Sequence, residues 1–187
     1  MRHLTKDELV ALLSVSKPQD RLIFLLAFNH GLRVTEIVGG WLTDKNGNHK
    51  WYSGITLKNF VGEYFVIERL KGSCKTIQKI CPNEAALLTE YLKTFTPGED
   101  GRLFPISRKT VQRHIKTAGI EAGIAEFKCH PHVLKHTTAC LGLKGGMTLP
   151  EVQARLGHKS GASTMVYLAV DDDTASDAFA KAVSISL

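Results

Sequence analysis

The segment from Pro18 to His30 constrains the fold most, because it reads as a helix with apolar side chains on almost every face. Proline suits the first position of a helix, and Gly31 suits the left-handed conformation that commonly ends one. The apolar side chains between these signals are Leu22, Ile23, Leu25, Leu26 and Phe28. A helix of this kind must be surrounded by other elements. The sequence therefore predicts a fold built around this buried helix.

The length and composition predict one domain, spanning residues 1–187. The chain has 187 residues, 43% of them hydrophobic, which is enough for one core and short for two. Its longest apolar run, Leu22–Phe28, is far too short to cross a membrane. The N-terminus lacks the apolar segment of a signal peptide, and the four cysteines are too irregularly spaced for a disulfide framework. We expect a cytoplasmic protein with no membrane partner.

Local start and stop signals predict that most of the chain is helical. Thr5 and Glu8 form a capping box ahead of one helix, and Thr148 and Glu151 form another. Further helices are predicted from Ser107, from Pro131 to about Lys144, and around Ser163–Ala169.

One short region has strand character instead. The runs Tyr64–Ile67 and Thr76–Ile80 are rich in β-branched and aromatic residues and flank a glycine turn, so they predict a β-hairpin with Lys71 at its tip. Residues 39–53 are rich in turn residues, and we interpret them as an irregular, exposed excursion without an assigned function. The predicted fold class is mainly α with a small antiparallel β-sheet insert.

The residues suited to chemistry concentrate in the last third of the chain. His132, Lys135, His158 and Tyr167 supply proton carriers, a positive charge and a nucleophile. These are the groups that phosphoryl transfer needs around one phosphate. Arg33 follows the central helix at a tight corner, where an unpaired guanidinium would be costly, so it should face an anion in the fold or in a ligand.

A basic helix face favours a polyanionic partner. The net charge is +6, which alone raises the expectation of nucleic-acid binding only modestly. Lys109, Arg113 and Lys116 lie at helical spacing on one face, where they could hold a phosphate backbone. A solvated outer face explains the same pattern equally well.

A structural zinc site is a second interpretation of the C-terminal histidines. His132, His136 and Cys140 fall at positions i, i+4 and i+8 of one helix, with Cys129 and His130 just upstream. Without a metal, His136 is expected to be a packed, hydrogen-bonded histidine.

Five segments, in this order and with similar gaps, resemble the signature of the tyrosine recombinase (phage integrase) family. They are Gly31–Ile37, Lys71–Lys75, His132–Thr137, Leu156–His158 and Tyr167. The resemblance covers essentially the whole chain as that family's catalytic domain. It implies a mostly helical domain with a small sheet, which cleaves duplex DNA through a 3′-phosphotyrosyl intermediate without a metal or nucleotide cofactor. The implied process is site-specific DNA recombination, such as the integration of a mobile element.

The resemblance also implies roles for individual residues. Tyr167 matches the nucleophile, and Arg33 matches the arginine that clamps the non-bridging oxygens of the scissile phosphate. Lys71 matches the lysine that protonates the departing 5′-oxygen, and Lys75 is the second candidate for that role.

Three further positions complete the match. His132 resembles the histidine that helps to remove the tyrosine proton. His158 matches the last phosphate-binding histidine before the nucleophile. Glu36 matches an acidic residue that supports the site from behind Arg33.

Lys135 departs from the family pattern, which usually has a second arginine three residues after the histidine. Lysine keeps the positive charge but loses the bidentate fork, so stabilisation of the transition state could fall by a few kcal/mol. A natural variant site, an engineered substitution and a weakened enzyme are the open explanations. The alternative function is a DNA-binding regulator with an inactive recombinase site.

The ends of the chain carry two more expectations. Family members commonly have a separate N-terminal DNA-clamping domain, whereas this chain starts at the first helix of the catalytic domain. We therefore expect a catalytic domain alone. Residues 173–187 resemble the family's docking tail, which predicts self-association on DNA.

Overall fold

The structure, a computed structural model, describes residues 3–44, 46–70, 73–165 and 167. Its helices are α1 (Lys6–Val15), α2 (Pro18–His30), α3 (Val34–Val38), α4 (Pro82–Thr94), α5 (Arg108–Glu121), α6 (Pro131–Lys144), α7 (Leu149–Leu156) and α8 (Ala162–Met165). Its strands are β1 (Gly40–Thr43), β2 (His49–Tyr52), β3 (Phe60–Val61), β4 (Tyr64–Ile67) and β5 (Thr76–Lys79). This architecture confirms the predicted fold class.

Helix α2 is the centre of the core, as its apolar sequence predicts. Six consecutive side chains, from Leu22 to Ala27, are buried, and the helix packs against α4 and α6. It ends at Gly31, whose φ of 58° is left-handed. None of the helices in the described part of the chain combines the length and apolar character needed to span a membrane.

The predicted helix starts are present. Thr5 and Glu8 exchange the two hydrogen bonds of a capping box at α1, and Thr148 and Glu151 do so at α7. Helix α6 begins with Pro131 and ends at Lys144, as predicted. Part of the predicted helix around Ser163–Ala169 is present as α8, and its last residues, 168 and 169, lie outside the described residues.

The strands form two antiparallel sheets. Strands β3, β4 and β5 lie side by side, and Phe65 pairs with Gln78 in the register of β4 and β5. The predicted β-hairpin is confirmed by this pairing. Lys71 and Gly72, at the predicted tip, lie outside the described residues.

The interpretation of residues 39–53 as irregular is wrong, because strands β1 and β2 pair there as a second hairpin. Its turn is closed by the Asp44 carboxylate, which accepts hydrogen bonds from the backbone of Asn46 (2.8 Å) and Asn48 (2.9 Å). The turn residues were thus recognised, whereas the strands were not. Each strand has four residues and no buried side chain, so the apolar alternation that predicts a strand is missing.

A buried polar network fixes the C-terminal end of α2. His30 hydrogen-bonds to Gln78 of β5 (2.8 Å) and to Glu84 of α4 (2.7 Å), and all three side chains are buried. Asn29 donates to the second Glu84 oxygen (3.0 Å). Buried polar groups of this kind are stable only while each has a partner. The network therefore locks the sheet and α4 onto the helix end that precedes Arg33.

We predict that Glu84→Ala lowers the free energy of unfolding by about 3–5 kcal/mol, because it leaves His30 buried without its carboxylate partner. Glu90→Ala, an exposed site on the same helix, is the matched control and should stay within about 0.5 kcal/mol of wild type. Urea unfolding followed by circular dichroism measures both. Equal midpoints for the two variants would contradict the role of the network.

Candidate active site

A cavity of about 370 Å³ collects six of the residues that the sequence singles out. These residues are Arg33, His132, Lys135, His136, His158 and Tyr167. They come from separate parts of the chain: the corner between α2 and α3, helix α6, the turn after α7, and the position two residues beyond α8. Only tertiary packing brings them to one place.

Arg33 is held at the corner by Glu36. Its backbone N–H donates to one Glu36 carboxylate oxygen (2.9 Å), and its Nη1 donates to the other (2.8 Å). Nη1 also makes longer contacts of 3.4 Å with the carbonyl of Leu70 and the hydroxyl of Ser73. Among the described residues, all hydrogen bonds of this guanidinium use Nη1. Nη2 and Nε therefore remain to bind an anion in the cavity.

Glu36 is ionised because its environment is rich in donors and cations. Burial raises the pKa of this carboxyl, but the backbone N–H groups of Arg33 and Leu70 and the charges of Arg69 and Arg33 outweigh burial and hold it below its ordinary value. The carboxylate thus connects the Arg33 corner to the segment after β4. This is the position that the family pattern assigns to a supporting acidic residue.

Arg69 is a structural centre of the site that sequence reasoning missed. Its guanidinium is buried and donates to the backbone carbonyls of His30 (2.7 Å), Gly31 (3.1 Å) and Arg155 (2.8 Å). It also forms an ion pair with Glu36 at 3.5 Å. The carbonyls belong to the C-terminal ends of α2 and α7, which carry negative partial charge. No local pattern marks a buried arginine after a short strand.

Gly157 allows the end of α7 to approach this centre. It has a left-handed φ of 69°, and a Cβ built on it would lie 3.1 Å from the Arg69 side chain and 3.0 Å from the carbonyl oxygen of Cys74. The Gly157 carbonyl accepts a hydrogen bond from the Cys74 backbone (3.0 Å). A side chain here would require its neighbours to shift slightly, at a backbone conformation that already favours glycine. His158 is therefore placed directly against the segment that follows Lys71.

His158 is neutral at physiological pH. Burial lowers its pKa to about 4, and the nearby positive charges of Lys135 and Arg33 act in the same direction. Its Nδ1 shares a hydrogen bond with the Thr164 hydroxyl (3.0 Å), which fixes the ring and leaves Nε2 for a ligand. The neutral ring can donate one hydrogen bond to a phosphate oxygen.

Lys135 is buried, with 5% of its surface exposed, and it donates to the carbonyl of Leu156 (3.2 Å). Burial and the positive charges of Arg33 and Arg69 lower its pKa to about 7, and the negative charge of Glu36 offsets this only in part. An arginine at this position would stay charged at any physiological pH. The lysine instead makes the charge of the site sensitive to pH.

Tyr167 is half-buried between the cavity and a small apolar cluster of α6 and α7. It packs against the cluster formed by Ala139, Val152 and Leu156, and its ring meets the His136 ring edge to face at 5.5 Å. Burial raises the pKa of its phenol, while Arg33 partly offsets this. The tyrosine is therefore protonated in the free protein and needs a proton acceptor to act as a nucleophile.

The other predicted site residues are all basic, and they differ in their surroundings. Lys71 lies outside the described residues, and Lys75 is exposed and paired with Glu68 at 2.7 Å. Lys109 and Arg113 are exposed on α5, as predicted, while Lys116 on the same face pairs with Glu126 at 2.7 Å.

The zinc interpretation finds no support in the structure. Within residues 3–44, 46–70, 73–165 and 167, no three His, Cys, Asp or Glu side chains are grouped so that they could hold a metal ion. Cys129 is instead buried, with its thiol directed to the carbonyls of Ile124 and Ala125. His136 lines the cavity, where its ring meets that of Tyr167 edge to face at 5.5 Å.

The cavity also contains polar residues that the sequence interpretation did not select. Besides Ser73, they are Lys159, Ser160 and Ser163. Three of these four follow His158 closely, so the polar run after Gly157 was an available signal. The added lysine and hydroxyls make the cavity still better suited to an anion.

Comparison with known proteins identifies the family of this chain. The model of the phage integrase family matches residues 2–174, so the chain belongs to the phage integrase family. The tyrosine recombinase XerA of Saccharolobus solfataricus is 29% identical over 91% of this chain and 52% of its own length. The chain thus spans about half the length of that relative.

Two solved structures show the same fold. The crystal structure of XerA recombinase superposes with a TM-score of 0.75 at 21% identity, covering 98% of this chain and 64% of that one. XerH site-specific recombinase bound to its difH substrate gives a TM-score of 0.71 at 20% identity, covering 96% of this chain and 54% of that one.

We predict that Lys135 titrates near pH 7, and that Arg33→Gln raises its pKa because the substitution removes a neighbouring positive charge. Carbon-detected NMR of the lysine side-chain methylenes measures the titration, and Lys135→Met identifies the resonance. Lys93→Met, at an exposed site on α4, is the control for unrelated spectral changes. An unchanged midpoint in Arg33→Gln would show that the two charges do not interact.

Proposed function

We propose that this chain is the catalytic domain of a site-specific DNA recombinase, which cleaves and rejoins duplex DNA through a 3′-phosphotyrosyl intermediate. The observation that carries the proposal is the meeting of Arg33, His132, Lys135, His158 and Tyr167 in one cavity. Membership of the phage integrase family and the likeness to recombinases support it.

In the proposed cleavage step, the Tyr167 oxygen attacks the scissile phosphorus and the bond from phosphorus to the 5′-oxygen breaks. His132 accepts the tyrosine proton, which the raised pKa of Tyr167 makes necessary. Lys71, outside the described residues, protonates the leaving 5′-oxygen. The products are a phosphotyrosyl linkage and a free 5′-hydroxyl. The reverse reaction rejoins a strand without an external energy source, because the phosphotyrosyl linkage conserves the energy of the phosphodiester bond.

Three groups stabilise the phosphate in this proposal. Nη2 and Nε of Arg33 can bind two phosphate oxygens together, since the contacts with Glu36, Leu70 and Ser73 all use Nη1. Nε2 of His158 donates to a further oxygen. Lys135 provides the remaining charge as a single donor. Because these groups are fixed by burial and by partners before DNA arrives, little reorganisation is needed in the transition state.

We also propose that the protein works on duplex DNA as an assembly, in the cytoplasm of its host. Recombination joins two DNA sites, so several protomers must act together. The C-terminal tail of residues 173–187 is our candidate for the contact between protomers, and it lies outside the described residues. Lys109 and Arg113 are proposed to contact the DNA backbone.

Tyr167→Phe should abolish covalent attachment to DNA, because it removes the phenol oxygen that would form the phosphotyrosyl bond. The measurement is a denaturing gel after incubation with nicked duplexes drawn from a randomised library. Tyr64→Phe, an exposed tyrosine on β4, is the matched control and should form the adduct normally. Sequence-selective binding by wild type with no adduct at any pH would instead favour a DNA-binding regulator, the function that Lys135 otherwise suggests.

The rate of adduct formation at low DNA concentration should fall as pH rises above about 7, because Lys135 then loses its proton and the site loses a positive charge. Lys135→Arg should remove this fall. Both proteins share the ionisation of Tyr167, so the ratio of their rates isolates position 135. This ratio should change by about tenfold per pH unit well above pH 7. A constant ratio between pH 6 and 9 would contradict the role of lysine as a titrating charge.

A further inference from the structure

The β1–β2 hairpin, residues 39–54, is not needed for the core. Within its described residues, which exclude Lys45, no side chain belongs to either hydrophobic cluster of the protein. Trp41 and Trp51 are 63% and 42% exposed. A two-stranded hairpin by itself is at best marginally stable in water. The hairpin is nevertheless a regular element, so its stabilisation and its use both need an explanation.

Side-chain contacts on the outer face stiffen the hairpin. Trp41 and Trp51 are directly opposite each other in the register, with their rings edge to face at 5.5 Å. The guanidinium of Arg102 lies 5.4 Å from the Trp51 ring centroid. Cross-strand aromatic pairs and cation–π contacts each stabilise such ribbons. Because side chains alternate along a strand, the paired residues Leu42 and Lys50 lie on the opposite, inner face of the hairpin.

Two glycines fix the base of the hairpin against α3. A Cβ built on Gly39 would lie 2.3 Å from the Tyr52 carbonyl oxygen, and one on Gly54 would lie 2.4 Å from the Ile37 carbonyl oxygen. The Ile55 backbone donates to the Ile37 carbonyl (2.8 Å). The backbones are in direct contact here. The direction of the hairpin is therefore set by the same short helix that carries Glu36.

A groove of about 1120 Å³ lies between the inner face of the hairpin and the first turns of α5. Leu42 and Lys50 line it from the hairpin, and Arg108 and Lys109 line it from α5. Arg33 and His132 line both this groove and the active-site cavity, whereas Tyr167 lines only the cavity. The groove is thus a continuation of the site, on the side away from the nucleophile.

The groove is strongly basic. Arg33, Lys50, Arg108 and Lys109 line it with four cations, against the one carboxylate of Asp44. That carboxylate is already engaged by the turn of the hairpin. Among the described residues, Lys50, Arg108 and Lys109 have no ion-pair partner. Cations placed together without counter-charges indicate an anionic ligand that spans them.

We propose that this groove binds the phosphate backbone of duplex DNA next to the phosphate in the active site. Lys50 is the contact from the hairpin, and Arg108 and Lys109 are the contacts from α5. The inference rests on the proposed function, because the scissile phosphate defines where the strand enters the groove. The hairpin then forms one wall of the DNA-binding groove and helps to hold the duplex in position relative to Tyr167.

The test is the salt dependence of binding by the 187-residue chain. A fluorescein-labelled duplex of arbitrary sequence serves as the probe, and fluorescence anisotropy gives the affinity between about 50 and 200 mM KCl. Lys50→Ala and Arg108→Ala should each reduce the slope of log affinity against log salt by about 0.9, and lower affinity about fivefold to tenfold near 100 mM salt. Lys93→Ala, an exposed lysine that lines neither cavity, should retain the wild-type slope.

A second variant removes residues 41–52 and joins Gly40 to Ser53, which leaves the core intact. Its helical circular dichroism signal should be retained, and its salt slope should fall at least as far as that of Lys50→Ala. Wild-type slopes in all three variants would overturn the proposal. The proposal would also be overturned if the deletion variant bound the duplex normally but no longer self-associated in sedimentation. The hairpin would then be a protein–protein contact.

Failure of this inference is distinguishable from failure of the proposed function. If wild type forms the Tyr167 adduct while all three variants keep the wild-type salt slope, the recombinase function stands and the proposed DNA-binding role of the groove does not. If the slopes fall as expected while wild type forms no adduct on any substrate, the DNA-binding role of the groove stands and strand transfer does not.

Discussion

The site depends on the buried carboxylate of Glu36. This one group accepts hydrogen bonds from the backbone and side chain of Arg33 and from the backbone of Leu70, and it pairs with the buried Arg69. Arg69 in turn binds carbonyls at the ends of α2 and α7. Removing the carboxylate would leave two arginines near each other without compensation, which is among the costliest changes a protein interior can suffer. The groups that we propose to bind the phosphate are therefore positioned by the contacts of a buried carboxylate.

The same concentration of charge explains the unusual behaviour of Lys135. Lys135 is buried beside Arg33, which disfavours its protonated form, and its pKa falls to about 7. In the proposed function, a bound phosphate would supply negative charge and favour the protonated form. Substrate binding and proton uptake would then be coupled at a position where an arginine would be permanently charged. The lysine at this position therefore makes the charge of the cavity depend on pH near neutrality.

Local sequence signals predicted the elements that depend on neighbouring residues. The capping boxes at Thr5 and Thr148, the start of α6 at Pro131 and the end of α2 at Gly31 were all predictable, because each needs only contacts a few residues apart. The strands of the hairpin at residues 39–54 were missed, since neither strand has a buried face and only pairing defines them. Arg69 was missed for a related reason, because its partners are contributed by residues far away along the chain.

The sequence by itself determined the buried central helix, the order of the helices and the residue types able to handle a phosphate, because apolar spacing, caps and side-chain chemistry are local properties. The resemblance to the family predicted that Arg33, Glu36 and Tyr167 belong to one site, whereas tertiary structure alone decided that the buried Arg69 pairs with Glu36 and that the hairpin faces α5 across a basic groove. These outcomes depend on which distant surfaces pack together. Packing is a property of the whole chain, so no single motif encodes it.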